Sequence, residues 1–391
     1  MINIGIECCG CTACCNVCPT GCIQMKENDE GFLYPIGDIS KCIGCNQCEK
    51  VCPVIHEDEW AITNELLEGY VFQNRDREIL KQSTSGGFFS ALGKEIINDG
   101  GVVFGAAYDG KYVIHHVVVD NIGDLKKFRN SKYTQSNPEN TFRLCKEYLK
   151  QGKLVLYSGT PCQIAGLQQY LGKKYNNLKT IDVVCHGVPS PKLFRKYVSW
   201  LGSPKKIKDI RFRDKYNSYY SSTMTIYYKD GKIRRRDKLG DPMLNFFFND
   251  FCSRQSCYNC HFKTIDRNCD FTMFDSWHGY KYDHSFEDYG TTAVITRNKE
   301  AREIFDRISR EHKSIRVNYN TLIKDDGSMM TNSVKMNPLR TSFFKDLNQI
   351  SFDEMIKKYA GVTTKKKLTI QLKKILMKLG VWGKIMKARL E

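Results

Sequence analysis

From Gly69 onward the chain alternates between two hydrophobic periods. Where apolar and polar positions exchange every second residue, the pattern predicts strands over Gly69–Gln73, Val102–Tyr108, Tyr112–Val119, Leu154–Tyr157, Thr180–Cys185, Ile207–Arg213 and Thr223–Tyr228. Where apolar positions return every three or four residues, it predicts helices over Phe88–Asn98, Glu139–Lys150, Gln163–Leu171 and Lys192–Trp200. Asp230-Gly231 marks a hairpin turn, and Thr291–Thr296 followed by Asn298–Arg310 reads as a last strand and helix. Strands interleaved with helices in this way predict an α+β or mixed α/β domain.

Ahead of that region the chain repeats itself. Residues 8–19 read C-C-G-C-T-A-C-C-N-V-C-P and residues 42–53 read C-I-G-C-N-Q-C-E-K-V-C-P, two copies of C-x2-C-x2-C-x3-C-P offset by 34 positions. Between them Gly31-Phe-Leu-Tyr-Pro-Ile reads as a short strand and turn, and after Pro53 comes an acidic connector, His56-Glu-Asp-Glu-Trp. At the other end Leu368, Leu372, Ile375, Leu376 and Leu379 recur at helical spacing among Lys373, Lys374 and Lys378, and Trp382, Ile385 and Met386 extend the apolar side beyond Gly380. The expected organisation is a two-cluster domain at 1–56, a larger domain at 57–360 with parts 57–185 and 186–360, and a basic amphipathic tail at 361–391.

The 391 residues suit two or three domains at about 100–200 residues each, and 41% hydrophobic with 12% aromatic residues excludes wholesale disorder. No apolar stretch approaches the roughly 18–20 residues of a membrane span, and MINIGIECCG has neither a basic flank nor an apolar signal core, so a cytoplasmic chain is expected. The formal charge of +17 is uneven: nine Lys/Arg and one Glu fall between Thr363 and Glu391. A four-iron cluster on four thiolates carries about −2 when oxidised, so two clusters lower the total to roughly +13 and three to roughly +11. Nucleic-acid binding is not expected, because the excess sits in a tail without such motifs.

Eighteen cysteines, eleven of them within the first 52 residues, point to metal ligation rather than to disulfides. In C-x2-C-x2-C-x3-C-P the first three thiolates converge on one four-iron cubane while the fourth, before a turn-forming proline, reaches the partner cluster. One cluster is therefore expected on Cys8, Cys11, Cys14 and Cys52, the other on Cys42, Cys45, Cys48 and Cys18. Zinc sites favour paired C-x-x-C units with long spacers, unlike this duplicated unit. Cys9, Cys15 and Cys22 fall outside the pattern and read as small packing residues.

A second group lies downstream. Cys252, Cys257, Cys260 and Cys269 could form a local site, whose C-x4-C-x2-C start is similar to plant-type two-iron ferredoxins or a zinc knuckle. Alternatively Cys162, Cys185, Cys257 and Cys260 converge from the ends of separate elements on a third 4Fe-4S cluster, or Cys162 and Cys185 are simply buried thiols. No GxGxxG and no GxxxxGK[ST] occurs, so neither dinucleotide-type nor P-loop phosphate binding is signalled.

Ser83-Thr-Ser-Gly-Gly87, Ser131-Lys-Tyr-Thr-Gln-Ser136, Gly159-Thr-Pro-Cys-Gln-Ile-Ala-Gly166, Cys185-His-Gly-Val-Pro189 and Ser256-Cys-Tyr-Asn-Cys260, in this order, carry a resemblance. The chain resembles the beta subunit family of coenzyme F-420 (8-hydroxy-5-deazaflavin) hydrogenases and dehydrogenases, in its form with an N-terminal ferredoxin domain. The resemblance implies a non-covalent FAD, a cluster beside it and electron exchange with a deazaflavin or another small acceptor. Bacterial members often accompany surface-polysaccharide genes in organisms, including anaerobes, not known to make the deazaflavin. The family usually reads Asp-Ile-Thr-hydrophobic-Gly-Asp-Phe-Trp-Gly after its C-x-x-C, whereas this chain reads Asp270-Phe-Thr-Met-Phe274-Asp275-Ser-Trp277-His-Gly279. Phe274 in place of glycine implies a reshaped wall.

Ser83, Ser85, Gly86 and Gly87 would supply hydroxyls and bare N–H groups to a pyrophosphate at the start of Phe88–Asn98, although an ordinary serine cap reads equally from the motif alone. Lys132 and Gln135 would hydrogen-bond the flavin ring or phosphates, with Tyr133 and Ser136 beside them; a solvated lysine and a half-buried aromatic are the competing readings. His186 is the candidate catalytic residue, as a donor to flavin or substrate, or else a satisfied structural histidine. His115-His116 alternate across a strand and make no metal pair, and Arg234-Arg-Arg236 reads as a solvated edge or as a patch that steers an anionic substrate or partner.

The leading expectation is an iron–sulfur flavoprotein oxidoreductase, since clusters pass single electrons and flavin converts them to two-electron chemistry. An electron-transfer subunit feeding a partner enzyme, and a non-catalytic cluster-binding sensor or scaffold, are the alternatives. A redox partner protein is expected in the first two. For the tail, docking on the protein's own core, docking on a partner, and peripheral attachment to an anionic membrane all fit the pattern.

Overall fold

The structure, a computed structural model, describes residues 2–57, 66–361 and 364–388. Asp58, Glu59 and Trp60 of the acidic connector lie outside the described residues, as do the side chains of Lys374 and Lys378.

The sequence repeat is also a backbone repeat. In the first copy Gly10 (φ +73°) and Thr12 (φ +70°) turn left-handed before a short helix at Ala13–Val17; in the second, Gly44 (φ +70°) and Asn46 (φ +55°) do so before Gln47–Lys50. Each turn seats a cysteine, Cys14 or Cys48, in the first turn of its helix. Between the copies, β1 (Ile23–Glu27) and β2 (Leu33–Gly37) form an antiparallel hairpin. At the hairpin end Phe32 is fully buried in the larger domain, against Phe344, and Glu30 accepts from Arg340 at 2.6 and 2.7 Å.

The larger domain is organised by an eight-stranded sheet of β3 (Glu68–Gln73), β4 (Val102–Tyr108), β5 (Ile114–Val119), β6 (Val155–Gly159), β7 (Leu178–Val183), β11 (Phe271–Ser276), β12 (Thr291–Thr296) and β13 (Lys313–Val317). Its order is β13-β3-β12-β11-β7-β6-β4-β5, with β11, β7, β6 and β4 parallel and the flanking pairs antiparallel. The parallel strands are buried on both faces, by Phe88, Leu92 and Phe305 on one side and by Phe142, Ile164 and Leu167 on the other. Strands from both sides of residue 185 enter this sheet, so the expected division into 57–185 and 186–360 is not a break in the sheet. A smaller antiparallel sheet, β8 (Ile207–Asp214), β9 (Thr223–Tyr228) and β10 (Ile233–Asp237), packs on the helices Pro191–Trp200, Pro242–Phe248, Arg340–Gln349 and Phe352–Tyr359 around a phenylalanine-rich core.

Thr291–Thr296 and its helix are not the last elements: among the described residues β13 and five α-helices follow. β13 reads Lys-Ser-Ile-Arg-Val, a basic edge strand too short and too charged to stand out. β11 runs inside the sheet, where burial on both faces removes the period-two signal. Tyr112 belongs to a turn (φ +63°), so β5 begins two residues later than the pattern predicts. Arg234 is not a solvated edge residue; it pairs with buried Asp241 at 2.7 Å and stacks 5.3 Å from Trp200. Among the described residues no helix is long and apolar enough to cross a membrane.

Candidate functional site: three cysteine groups and a large cavity

The cysteines gather in three places. Cys14 lies close enough to Cys8 and Cys52 for their charges to add to burial in pushing its thiol up, and Cys11 is raised by burial and by Cys14 and Cys8. Cys18 crosses to the second copy, where it lines a small cavity with Cys22, Cys42, Cys45 and Cys48. Cys22 sits 3.4 Å from Cys18, a fifth thiol that the spacing did not mark. Cys45 is exposed, whereas all four cysteines of the first group are buried.

A third group gathers downstream. Cys162, Cys185, Cys257 and Cys260 all line one cavity. Cys162 stands in the first turn of Pro161–Leu171, directly after β6, and Cys185 just follows β7. These are the carboxyl ends of neighbouring parallel strands, the usual place for a site in such a sheet. Burial pushes Cys185 up to about 12 and Cys260 up to about 11. As bare thiols they stay protonated at neutral pH; a bound cation is what makes the thiolates favourable. Cys252 is instead enclosed by the phenylalanine core, and Cys269 lies beside Thr272 among Asp182 and Arg297, so the local site with Cys252 and Cys269 does not assemble. Among the described residues no three Cys, His, Asp or Glu close around a single metal ion, and a cubane needs its four thiolates wider apart than one ion does.

Cys9, read from the sequence as packing, also lines this third cavity, close enough to Cys162 for each thiol to affect the other's ionisation. Its chain segment is clamped from behind. Arg254, 1% exposed, donates Nε to the Cys8 carbonyl at 2.5 Å, and Ser256 donates to the same oxygen at 3.2 Å. A Cβ on Gly166 would stand 2.8 Å from Cys11 Sγ, so the helix carrying Cys162 needs glycine where the first motif rests on it.

A second, larger cavity of about 450 Å³ shares Thr160, Cys185, His186, Gly187, Val188 and Met329 with the first. Its size lies within the range of about 300–1,000 Å³ usual for small-molecule sites. Ser83, Ser85, Gly87, Lys132, Tyr133, Gln135, Ser136 and His186 line it, as does Phe274. Gly86 does not: its N–H is taken by Thr292 Oγ1 at 2.8 Å, and a Cβ there would stand 2.2 Å from the Phe72 carbonyl oxygen. Gly86 is thus required by the approach of β3 and β12, not by a ligand. Gly87 (φ +79°) caps Phe88–Asn98 without a side chain, and Thr84 Oγ1 and Ser131 Oγ hold the two loops together at 2.9 Å.

Lys132 Nζ donates to the Arg129 and Asn130 carbonyls, 3.3 Å each, and desolvation lowers it to about 8, so it is not a solvated loop lysine. Tyr133 stacks 4.6 Å from Phe247 and its hydroxyl accepts from Arg213 at 3.1 Å. Gln135 is committed elsewhere: its amide donates to the Cys9 carbonyl at 2.9 Å and its oxygen accepts from Arg254 at 3.1 Å, which makes it a strut between the loop and the first motif rather than a free ligand. Ser136 belongs to a buried network. His116 Nε2 faces the Ser158 carbonyl at 3.0 Å and so carries the proton, leaving Nδ1 to accept from Ser136 Oγ at 3.2 Å. Gln163 Nε2 donates to Ser136 Oγ at 3.1 Å and its Oε1 accepts from the Thr160 N–H at 3.0 Å, tying the loop to the turn that bears Cys162. His186 Nε2 pairs with Asp250 Oδ1 at 2.7 Å in the wall common to both cavities. Arg254 and Asp250 lie in stretches with neither period nor spacing to mark them, whereas Gln163 sits in the Gly159–Gly166 segment without being singled out there.

A duplicated cysteine unit clamped onto an α/β sheet defines an iron–sulfur protein of the electron-transfer class, and residues 7–55 match the family described as 4Fe-4S dicluster domain. Residues 152–318 match the family described as the C terminus of the Coenzyme F420 hydrogenase/dehydrogenase beta subunit. The two matches follow one another along the chain, the dicluster domain ahead of the beta-subunit region. Among solved structures, a chain of the F420-reducing NiFe hydrogenase complex from Methanosarcina barkeri is similar at 17% identity, covering 76% of this chain and 91% of that chain with a TM-score of 0.46. No curated protein matches the chain.

Proposed function

We propose that the chain is an iron–sulfur flavoprotein oxidoreductase that exchanges single electrons with a redox partner protein and delivers or collects pairs at a deazaflavin-like or other small acceptor. The observation that carries this reading is the shared wall: the cavity lined by Cys162, Cys185, Cys257 and Cys260 touches Cys9 of the first motif on one side and opens beside the large cavity on the other. On this reading the first motif pair would hold two 4Fe-4S clusters, the convergent cysteines a third, and Ser83–Gly87 with Ser131–Ser136 an FAD. Clusters of this kind move one electron at a time, and a flavin converts between single electrons and pairs.

The chain's own residues supply the rest. The helix start at Gly87 and Phe88 offers unpaired N–H groups to an anion. Lys132 holds a desolvated positive charge in the same wall, which favours an anionic ligand. His186 keeps Nε2 on Asp250, so Nδ1 is the nitrogen that takes up or gives a proton beside the acceptor. Phe274 and Trp277 give the far wall an apolar face.

Anaerobic purification with iron, sulfide and flavin counted per chain tests this. Roughly 12 irons at four per cubane, together with one flavin, are expected, and the flavin should be bleached by a low-potential donor and reoxidised by a small acceptor. Reoxidation only by a partner protein would reduce the chain to an electron-transfer subunit. Absence of flavin would remove the oxidoreductase reading.

A further inference from the structure

The C-terminal helix Thr364–Lys378 is mounted with its apolar face outward. Leu368, Leu372, Ile375 and Leu379 are 63%, 58%, 55% and 67% exposed. Their spacing of four, three and four positions puts them in one stripe along one side of the helix. On the opposite side Lys373 is buried, its Nζ 2.7 Å from Asp237 Oδ2 and 5.0 Å from the centre of the Trp382 ring. The ion pair reaches β10, so the side of the helix that carries Lys373 faces the domain. A helix that docks on its own core does the reverse, burying the apolar stripe and exposing lysine.

The turn after the helix keeps this orientation. Val381 N–H donates to the Leu376 carbonyl and Gly380 N–H to that of Met377, both at 3.0 Å, with Gly380 at φ +66°. That closes the helix in a Schellman turn and sends the next helix, Trp382–Ala388, back to Lys373. The surrounding charge is of one sign: residues 363–391 carry nine Lys/Arg against Glu391 alone.

From this we infer that the stripe is a docking surface for an anionic lipid bilayer. A second copy of the chain would bring two strongly cationic tails together and is disfavoured by repulsion. An anionic bilayer answers both features at once: its headgroups attract the lysines and its acyl boundary takes the leucines and isoleucine.

The test uses the full-length protein as purified, in flotation with vesicles of phosphatidylcholine alone or with about 30% phosphatidylglycerol, at low and high salt. Binding to the acidic vesicles should be at least about tenfold tighter than to the neutral ones and should weaken with salt. The variant Leu372→Gln with Leu379→Gln, both at exposed positions, should lose about tenfold or more of that affinity while keeping the wild-type iron content and melting behaviour. No binding to acidic vesicles at low salt, equal binding to neutral vesicles, or unchanged binding by the double variant would overturn the proposal. So would a concentration-dependent dimer that the same substitutions abolish, since the stripe would then belong to a second copy.

Discussion

Cys9 and Cys162 meet thiol to thiol, although one belongs to the duplicated N-terminal motif and the other opens a helix about 150 residues later. The contact places the first cysteine group and the third on either side of one stretch of chain, residues 8–11, which Arg254 and Ser256 hold by the Cys8 carbonyl.

This arrangement separates ligands from neighbours. Cys162→Ala should lower iron from near 12 toward 8 per chain, since roughly four irons leave with one cubane. Cys252→Ala should leave iron unchanged, because Cys252 is fully buried in the phenylalanine-rich core rather than lining the cavity. Iron and sulfide assays on the anaerobic proteins decide this, and loss of iron in the Cys252 variant would restore the local site.

Lys132 makes ligand retention depend on pH. Its ammonium, lowered to about 8 by burial, is charged below that value and neutral above it. An anion in the cavity binds best to the charged form, so flavin affinity should weaken as pH rises through about 8 and the dependence should vanish in Lys132→Gln, with iron content unchanged. Flavin fluorescence titrated across that range reads the effect.

His116 sets an acid limit on stability. Desolvation lowers it to about 4 from an unfolded value near 6.5, so between these values the unfolded chain binds the extra proton. Stability is complete above pH 6.5 and falls as the pH drops toward 4. The loss should reach about 2 kcal/mol by pH 5 at 1.36 kcal/mol per unit. Urea unfolding at pH 7 and 5 checks this, and His116→Gln should remove that part of the slope.

Gly86 is a structural glycine. Gly86→Val would press a side chain into the Phe72 carbonyl and the Thr292 N–H, 2.2 and 2.6 Å from an added Cβ. The substitution should cost more than about 2 kcal/mol and lower the melting temperature whether or not flavin is present. A variant as stable as wild type that merely loses flavin would return Gly86 to the ligand site.

Much of this was legible in the sequence. Covalent spacing limits which cysteines of a duplicated unit can share a centre, and in the structure Cys18 lines one small cavity with Cys42, Cys45 and Cys48. The strands β4, β9 and β12 and the helix Phe88–Asn98 match their hydrophobic periods to the residue. Illegible from the pattern were the elements whose surroundings override it: β11, buried on both faces, and β13, a basic edge. The same holds for Gln135 and Gly86, which lie in segments that line the cavity but spend their polar groups on neighbouring chain. A motif identifies a loop; only packing shows which of its atoms remain free.

The sheet order also sets a timetable for biogenesis. β3 lies between β12 and β13, with Phe72 opposite Thr292 on one side and Ser314 on the other, so an early strand must wait for more than 200 residues of later chain before both its edges are paired. Chains are made from the N-terminus, and non-local pairings of this kind are slow to form. The eight motif cysteines up to Cys52 leave the ribosome long before Cys257 and Cys260, which come last to the convergent cavity. On the proposed reading, assembly of the metal centres would thereby be ordered in time, the N-terminal pair first and the one beside the large cavity last, when the fold that encloses it is nearly closed.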